Sequence, residues 1–180
     1  LGEALVPVDD AIERDPSLGD AYWIRGTIKL RSGRPADALT DLRRGLELRP
    51  GRYEAYAVMG DAYDQLRRVD QAIEAYTTAT THVDDNGLWF YRLGRLLLDR
   101  GRAADATRAL QRATLLGDAT DPTPGWLADA HRVRGEALTR GGSAREAIPH
   151  FRRYLELAPA GAIDRREVRQ RLMDLGVVPE

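Results

Sequence analysis

The apolar and polar positions of the chain repeat along its length. The stretches GRPADALTDLRRGLELRP at 33–50 and GSAREAIPHFRRYLELAP at 142–159 follow nearly the same pattern. Both carry an acidic–Ala–aliphatic triplet, then Arg-Arg, Leu-Glu-Leu and a final proline. Apolar residues spaced three and four apart are typical of an amphipathic helix. The pattern therefore predicts that similar helices occur at two places in the chain.

Glycine and alanine give the period of this repetition. Glycine recurs 34 residues apart at Gly26, Gly60 and Gly94, and then 41 residues later at Gly135. Alanine recurs with the same spacings, at Ala4, Ala38, Ala72, Ala106 and Ala147. Because both series lengthen by 7 residues at the same place, the sequence predicts a 34-residue repeat with one insertion.

The glycines are expected to have a structural purpose, because glycine inside an exposed helix costs about 1 kcal/mol relative to alanine. We expect glycine and alanine to let two antiparallel helices approach closely, at a crossing almost free of side chains. If the four glycines were unrelated surface residues, nothing would explain why the alanines recur with the same spacing.

A 34-residue repeat of two helices resembles the tetratricopeptide repeat (TPR) family, whose template is W-x₂-L-G-x₂-Y, then A-x₃-F, then P. AYAVMGDAY at 55–63 with QAIEAYTTA at 71–79 matches it best, and WFYRLGRLLL at 89–98 with DATRALQRA at 105–113 also matches. The resemblance covers nearly the whole chain. It implies an all-α fold, a right-handed superhelical α-solenoid of antiparallel helix pairs. The departures from the template fall in the first and last full repeats, at Arg25, Lys29, Gly45, His131, Arg134 and Tyr154.

The period divides the chain, which we expect to form a single TPR domain over residues 1–180. The predicted parts are a half repeat at 1–18, full repeats at 19–52, 53–86, 87–120 and 128–161, an insertion at 121–127, and a capping helix with its tail at 162–180. The half repeat corresponds only to the second helix of a repeat. Without the first helix, it cannot bury its apolar face. We therefore expect the chain to be a fragment of a longer protein.

Several local signals predict where helices begin and end. Ser143 with Glu146, and Asp164 with Glu167, have the spacing of a capping box. Gly176 suits the position that follows a helix C-terminus. Pro149 lies several residues inside the second helix of the last full repeat and is expected to kink that helix.

The insertion at 121–127 is expected to lengthen the following helix. Thr123 as N-cap and Pro124 as first helical residue would start that helix about one turn early. Two interpretations of Trp126 follow: it fills a gap beside the preceding helix, or it forms a ridge that narrows one end of a groove.

Composition and charge exclude several function classes. A net charge of −1 gives no global field for nucleic acid or anionic lipid. No apolar run approaches the roughly 18 residues that a membrane span needs. Lys29 is the only lysine among 27 Lys and Arg residues, a usage typical of a GC-rich bacterial genome. The compartment is not readable, with a slight preference for the cytoplasm.

Catalytic and metal-binding patterns are missing from the sequence. The chain has no cysteine, and its three histidines, at 82, 131 and 150, do not share a helix face. It has no glycine-rich phosphate loop and no nucleophile–base–orienter set. We therefore predict no cofactor, no metal and no enzyme activity.

The resemblance also implies a binding surface, because in TPR arrays the first helix of each repeat lines a concave groove. The residues that match the inward positions and form our candidate site are Trp23, Thr27, Arg31, Asp61, Asp64, Tyr91, Arg92, Arg95, Arg132 and Glu136. This wall is acidic at Glu54, Asp61 and Asp64 and basic at Arg92, Arg95 and Arg132. A ligand carrying both charges would fit, unless Asp61 and Arg95 simply pair with each other.

The function implied is a protein–protein interaction scaffold that binds a peptide or partner protein in its groove. Two alternatives stay open. The chain could be a regulatory or substrate-docking arm of a larger multidomain enzyme. It could instead self-assemble through the N-terminal half repeat, whose apolar face a second copy would cover.

Overall fold

α-Helices provide all the regular secondary structure in residues 5–178, the part of the chain that the computed structural model describes. These helices fall into two compact units, divided between Asp84 and Asp85. The first unit contains α1 (Val6–Arg14), α2 (Gly19–Arg31), α3 (Pro35–Leu48), α4 (Glu54–Gln65) and α5 (Val69–His82). The second unit contains α6 (Gly87–Asp99), α7 (Ala103–Asp118), α8 (Leu127–Arg140), α9 (Ala144–Leu157) and α10 (Arg165–Asp174). The predicted all-α class is confirmed, whereas Ala4 lies outside the described residues.

Four helix pairs form the body of the two units. α2 packs on α3 and α4 on α5 in the first unit, and α6 packs on α7 and α8 on α9 in the second. Three residues join the helices of each pair, and such short connections place neighbouring helices antiparallel. Each predicted full repeat contains one pair, except that α8 begins one residue before the fourth repeat. We call the first helix of each pair (α2, α4, α6, α8) its A helix and the second its B helix.

The repeated glycines are buried, and each faces a large side chain of the paired B helix. A Cβ added at Gly94 would lie 2.5 Å from Leu110, and one at Gly135 would lie 2.5 Å from the Phe151 ring. Gly26 and Gly60 face Leu42 and Tyr76 in the same way. The expected crossing without side chains is therefore wrong at Gly60, Gly94 and Gly135, whereas at Gly26 the backbone carbonyl of Ala38 also comes within 3.1 Å of the added Cβ. Glycine instead makes room for one bulky residue, beside a fully buried alanine at 38, 72, 106 or 147.

A close approach of two backbones does occur in the first pair, at Gly19 and Gly45. A Cβ at Gly19 would lie 3.0 Å from the carbonyl oxygen of Gly45, and one at Gly45 would lie 2.9 Å from that of Gly19. The departure from the template at Gly45 is therefore matched by a second glycine on α2.

Buried charges explain the other two departures in the first full repeat. Asp41 on α3 is 3% exposed and accepts hydrogen bonds from Arg25 at 2.9 and 2.7 Å. Lys29 lies 2.6 Å from the same carboxylate. Arg25 also bonds to Asp9 of α1 at 2.8 Å. One buried carboxylate thus requires the two cations on α2, and Arg25 ties α1 to the unit.

The helix α10 covers the end of the second unit. Val168 and Leu172 pack into the same apolar cluster as Phe151 and Tyr154 of α9. Gly176 has φ 76°, the left-handed conformation that favours glycine, and the amide of the next residue donates 2.9 Å to the carbonyl of Leu172. The predicted capping helix and its C-terminal glycine are confirmed.

Both predicted capping boxes are wrong. Neither Ser143 nor Asp164 makes a side-chain hydrogen bond to its helix, although each is the N-cap residue. Asp164 has helical backbone angles, φ −77° and ψ −9°, whereas a capping side chain requires an extended backbone. At Ser143 the backbone carbonyl takes the role instead and accepts from the amide of Glu146 at 2.9 Å.

Pro149 lies inside α9, which continues on both sides of it. The ring removes the amide that would bond to the carbonyl of Arg145. Both residues are exposed, so water can bond to the freed carbonyl oxygen.

The insertion does not lengthen α8 as expected. α8 begins at Leu127, and Pro124 to Trp126 form a turn closed by a 3.0 Å bond from the Leu127 amide to the Pro124 carbonyl. The predicted N-cap at Thr123 is therefore wrong.

Candidate binding surface

All ten candidate residues lie on A helices. In the first unit, α2 carries Trp23, Thr27 and Arg31, and α4 carries Asp61 and Asp64. In the second unit, α6 carries Tyr91, Arg92 and Arg95, and α8 carries Arg132 and Glu136. Within each unit the two A helices pack against each other, α2 against α4 and α6 against α8. The candidates therefore form one local surface per unit, described separately below.

Trp23 is the centre of the first surface. The guanidinium of Arg52, from the segment before α4, lies 4.0 Å from the centre of the Trp23 ring. Arg52 is held in place by a 2.8 Å bond to Asp20 on α2. Thr27 donates 2.9 Å to the carbonyl of Trp23 and so bonds within its own helix. Because a cation stacks on the indole ring, Trp23 is a polarised, half-covered aromatic group rather than a bare apolar anchor.

The rest of the first surface is polar. Asp61 accepts a hydrogen bond from the hydroxyl of Tyr76 on α5. Asp64 is half-buried, and Arg31 at the end of α2 is exposed. The A helices of this unit therefore present carboxylates and one arginine around a shielded tryptophan.

A connected network forms the second surface. The hydroxyl of Tyr91 donates to Asp129 on α8. Arg132 donates to Asp129 at 2.7 Å and to Glu136 at 2.5 Å. Its Nε also lies 3.5 Å from a carboxylate oxygen of Asp164, before α10. Burial and the Asp129 carboxylate raise the pKa of Tyr91, which keeps its hydroxyl protonated as the donor.

The expected basic character of this surface is not found on α8. Arg132 is surrounded by three carboxylates, those of Asp129, Glu136 and Asp164, so its charge is more than balanced locally. Arg92 and Arg95 are half-buried on α6. The sequence predicts that the wall is basic at Arg92, Arg95 and Arg132, and at Arg132 these carboxylates offset that charge.

Four further residues orient these candidates, and sequence reasoning missed two of them, Arg52 and Asp164. Asp20 and Asp129 each occupy the second position of their predicted repeats, which the repeat phase identifies as an inward position. Arg52 and Asp164 lie outside the A helices, and the template assigns no role to their positions.

Trp126 fills a gap and does not form a ridge. Its indole ring packs directly on Gly87 and Gly117. A Cβ added at Gly87 would lie 2.7 Å from the ring, and one added at Gly117 would lie 2.9 Å from it. It also stacks on Tyr91 with ring centres 5.9 Å apart. The indole thus packs on two buried glycines and a tyrosine, and Trp126 contacts the second surface through Tyr91.

The second unit also brings together two histidines that the sequence left apart. The Nδ1 atoms of His131 on α8 and His150 on α9 are 3.1 Å apart, and Nε2 of His131 is 3.1 Å from Asp118 on α7. This grouping is not a metal site, since no three His, Asp or Glu side chains in residues 5–178 are arranged to hold an ion. None of the helices described above has the length and apolarity to span a membrane.

The chain resembles TPR proteins in both sequence and structure. The family model described as tetratricopeptide repeat matches residues 24–86, 58–125 and 91–162. No curated protein sequence gives a significant match.

Among solved structures, YrrB, described as a TPR protein with an unusual peptide-binding site, is 22% identical, with a TM-score of 0.81 over 94% of this chain and 84% of that chain. A crystal structure of MamA is also 22% identical, with a TM-score of 0.74 over 85% of both chains. MamA residues 41 to the end from Desulfovibrio magneticus RS-1 are 18% identical, with a TM-score of 0.74 over 87% and 84%. At these identities the likeness shows a shared fold.

Proposed function

The chain belongs to the tetratricopeptide repeat family, and from that premise we propose that it is a protein–protein interaction scaffold. The surfaces proposed for binding are the two local surfaces on its A helices, and the ligand is a peptide or a partner protein. YrrB, which has the same fold, is described as having a peptide-binding site, and this supports a peptide as the ligand class.

The observation that carries the proposal is the fixed arrangement of side chains on the A helices. Asp129 and Glu136 hold Arg132, and Asp129 also accepts from Tyr91. Side chains that are already ordered lose little conformational entropy when a partner binds. The Trp, Tyr and Arg side chains among them are also the residue types that carry most of the binding energy at protein interfaces.

Charge reversal on α6 tests the proposal. We expect Arg92→Glu with Arg95→Glu to weaken capture of the partner from native lysate at least tenfold while helicity by circular dichroism stays the same. Arg145→Glu with Arg152→Glu is the matched control, because both arginines are exposed on the B helix α9. If both double variants recover the same partners in the same amount, the surface on α6 is not the binding surface.

The position of contact can be tested even while the partner is unidentified. A photo-crosslinking amino acid at Arg31 on α2 or Thr139 on α8 samples A helices, and one at Glu74 on α5 or Arg108 on α7 samples B helices. All four positions are exposed. We expect crosslinks to the partner from the two A-helix positions only. Crosslinks from the B-helix positions alone would contradict the proposal.

We propose a binding rather than a catalytic role. In the surfaces described above, the polar side chains form ion pairs and hydrogen bonds with one another, and the family premise concerns binding.

Self-association through the half repeat is a second candidate. Val6 on α1 is 60% exposed and Leu18 before α2 is 43% exposed, which leaves apolar area for a second copy. Light scattering over a concentration series tests it: a mass that rises with concentration supports it, and the monomer mass throughout excludes it.

A further inference from the structure

Three helices of the second unit meet at a pair of stacked histidine rings. The rings of His131 and His150 have centres 5.4 Å apart and planes 25° apart. The His131 side chain is only 5% exposed, and Asp118 joins the pair to α7. These contacts therefore hold α7, α8 and α9 together.

The hydrogen bonds determine which ring nitrogen carries the proton. The Asp118 carboxylate can only accept, so Nε2 of His131 must donate to it. In a neutral imidazole the other nitrogen is then an acceptor, so Nδ1 of His131 accepts and Nδ1 of His150 donates across 3.1 Å. With the proton of His150 on Nδ1, His131 must be neutral, because a proton on its own Nδ1 would place two donors face to face unless His150 moved its proton to Nε2.

The surroundings oppose a positive charge on either ring. Arg134 on α8 lies near the pair and donates 2.7 Å to the hydroxyl of Thr114 on α7. Arg153 on α9 lies 3.2 Å from Asp118 and takes part of its negative charge. The one carboxylate bonded to the pair is thus already paired with Arg153, and with Arg134 nearby a protonated histidine would add a third positive charge.

We propose that the His131–His150 pair is an acid-sensitive joint that loosens the packing of α7, α8 and α9 when the pH falls. Since α8 also carries Arg132 and Glu136, loosening the joint would weaken partner binding in mild acid. This last consequence rests on the proposed function, whereas the joint itself does not.

The direction of the pH effect follows from burial. Burial lowers the pKa of His131, and burial together with Arg134 and His131 lowers the pKa of His150 to about 4. A histidine whose pKa is lower in the folded state stabilises the fold above its unfolded pKa of about 6.5. That stability is lost as the pH falls from there toward the folded value. Each histidine can raise the unfolding equilibrium constant by at most about tenfold per pH unit in this window.

Nitrogen-15 NMR of the histidine rings tests the geometry in the unaltered protein. At pH 7.5 we expect the proton on Nε2 of His131 and on Nδ1 of His150. Finding the proton on Nδ1 of His131, or a charged His131 at this pH, would overturn the proposal.

Thermal unfolding between pH 7.5 and 5.0 tests the consequence. We expect His150→Gln to lose less of its midpoint temperature over this range than the wild type, because the glutamine amide can still donate to His131 but does not titrate. His82→Gln is the matched control, since His82 stacks on Tyr53 in the first unit, and it should respond like the wild type. Equal pH responses of the wild type and His150→Gln would refute the joint.

Partner binding provides a separate measurement. With a partner captured at pH 7.5, we expect release at pH 5.5 from the wild type and retention by His150→Gln. Equal retention by both would refute regulation by the joint. If no partner binds at pH 7.5, it is the proposed function that fails, while the NMR result still decides the joint.

Discussion

Both units place polar residues at template positions that are normally apolar. At these positions Arg25 and Lys29 are charged in the first unit, whereas His131 is neutral in the second. In the first unit, Arg25 and Lys29 on α2 surround the buried carboxylate of Asp41. In the second unit, His131 on α8 bonds to His150 as a neutral pair. Both departures were visible in the sequence as breaks in the repeat, and each is resolved by a partner on the paired B helix.

The difference decides how each unit responds to acid. Burial alone would raise the pKa of Asp41, but the hydrogen bonds from Arg25 and Lys29 outweigh it and lower the pKa. Its contribution to stability is therefore present above the ordinary aspartate pKa of about 3.9 and is lost only below that value. The histidine pair loses its contribution to stability already as the pH falls below about 6.5, well before Asp41 does. The buried ionic group and the buried neutral group therefore lose their contributions to stability in different pH ranges.

Removing the buried carboxylate should have the largest effect on stability. Asp41→Ala leaves Lys29 without this counterion and Arg25 with only Asp9, so we expect the free energy of unfolding to fall by about 3–5 kcal/mol. Urea denaturation at pH 7 measures it.

The control for this change is Asp37→Ala on the same helix, whose pair with Arg34 is about half exposed. That exposed pair should contribute only about 0–1 kcal/mol. Equal costs for Asp37→Ala and Asp41→Ala would mean that the buried network adds no more than a surface pair.

Filling a glycine site should have a smaller effect in a feature that both units share. Gly135→Val would push side-chain carbons into the fully buried Phe151 ring, so we expect a loss of about 1–3 kcal/mol from overpacking. Gly60 faces Tyr76 in the first unit in the same way.

Gly51→Val is the matched control, because a Cβ at Gly51 meets nothing within 4 Å. If Gly135→Val unfolds at the same urea concentration as Gly51→Val, the glycine is not required for the Phe151 contact.

The repeated features of the fold could be predicted from the sequence because they depend on positions at a fixed spacing. Gly94 and Ala106 follow the period, and the structure places both inside their helix pair. The bulky residue opposite each glycine was also in the template, as the aromatic of A-x₃-F, but its contact with the glycine was not inferred.

The contacts that are specific to one repeat could not be predicted in this way. His131 and His150 lie on different helices, so helical spacing along one face gives no sign of their contact. Arg52 reaches Trp23 from outside the A helices. Asp164 has the spacing of a capping residue, but its helical backbone prevents capping and its carboxylate lies near Arg132. Such side chains are placed by packing between helices, which a repeat template does not encode.

Hydrogen exchange at pH 7.0 and 5.0, corrected for intrinsic exchange rates, tests the contrast between the two units most directly. We predict that α7, α8 and α9 lose protection at pH 5.0 while α2 and α3 keep theirs, because the histidine joint loses its contribution to stability in this range whereas the lowered pKa of Asp41 keeps the buried carboxylate charged. Equal loss of protection in both sets of helices, or an earlier loss in α2 and α3, would contradict the account.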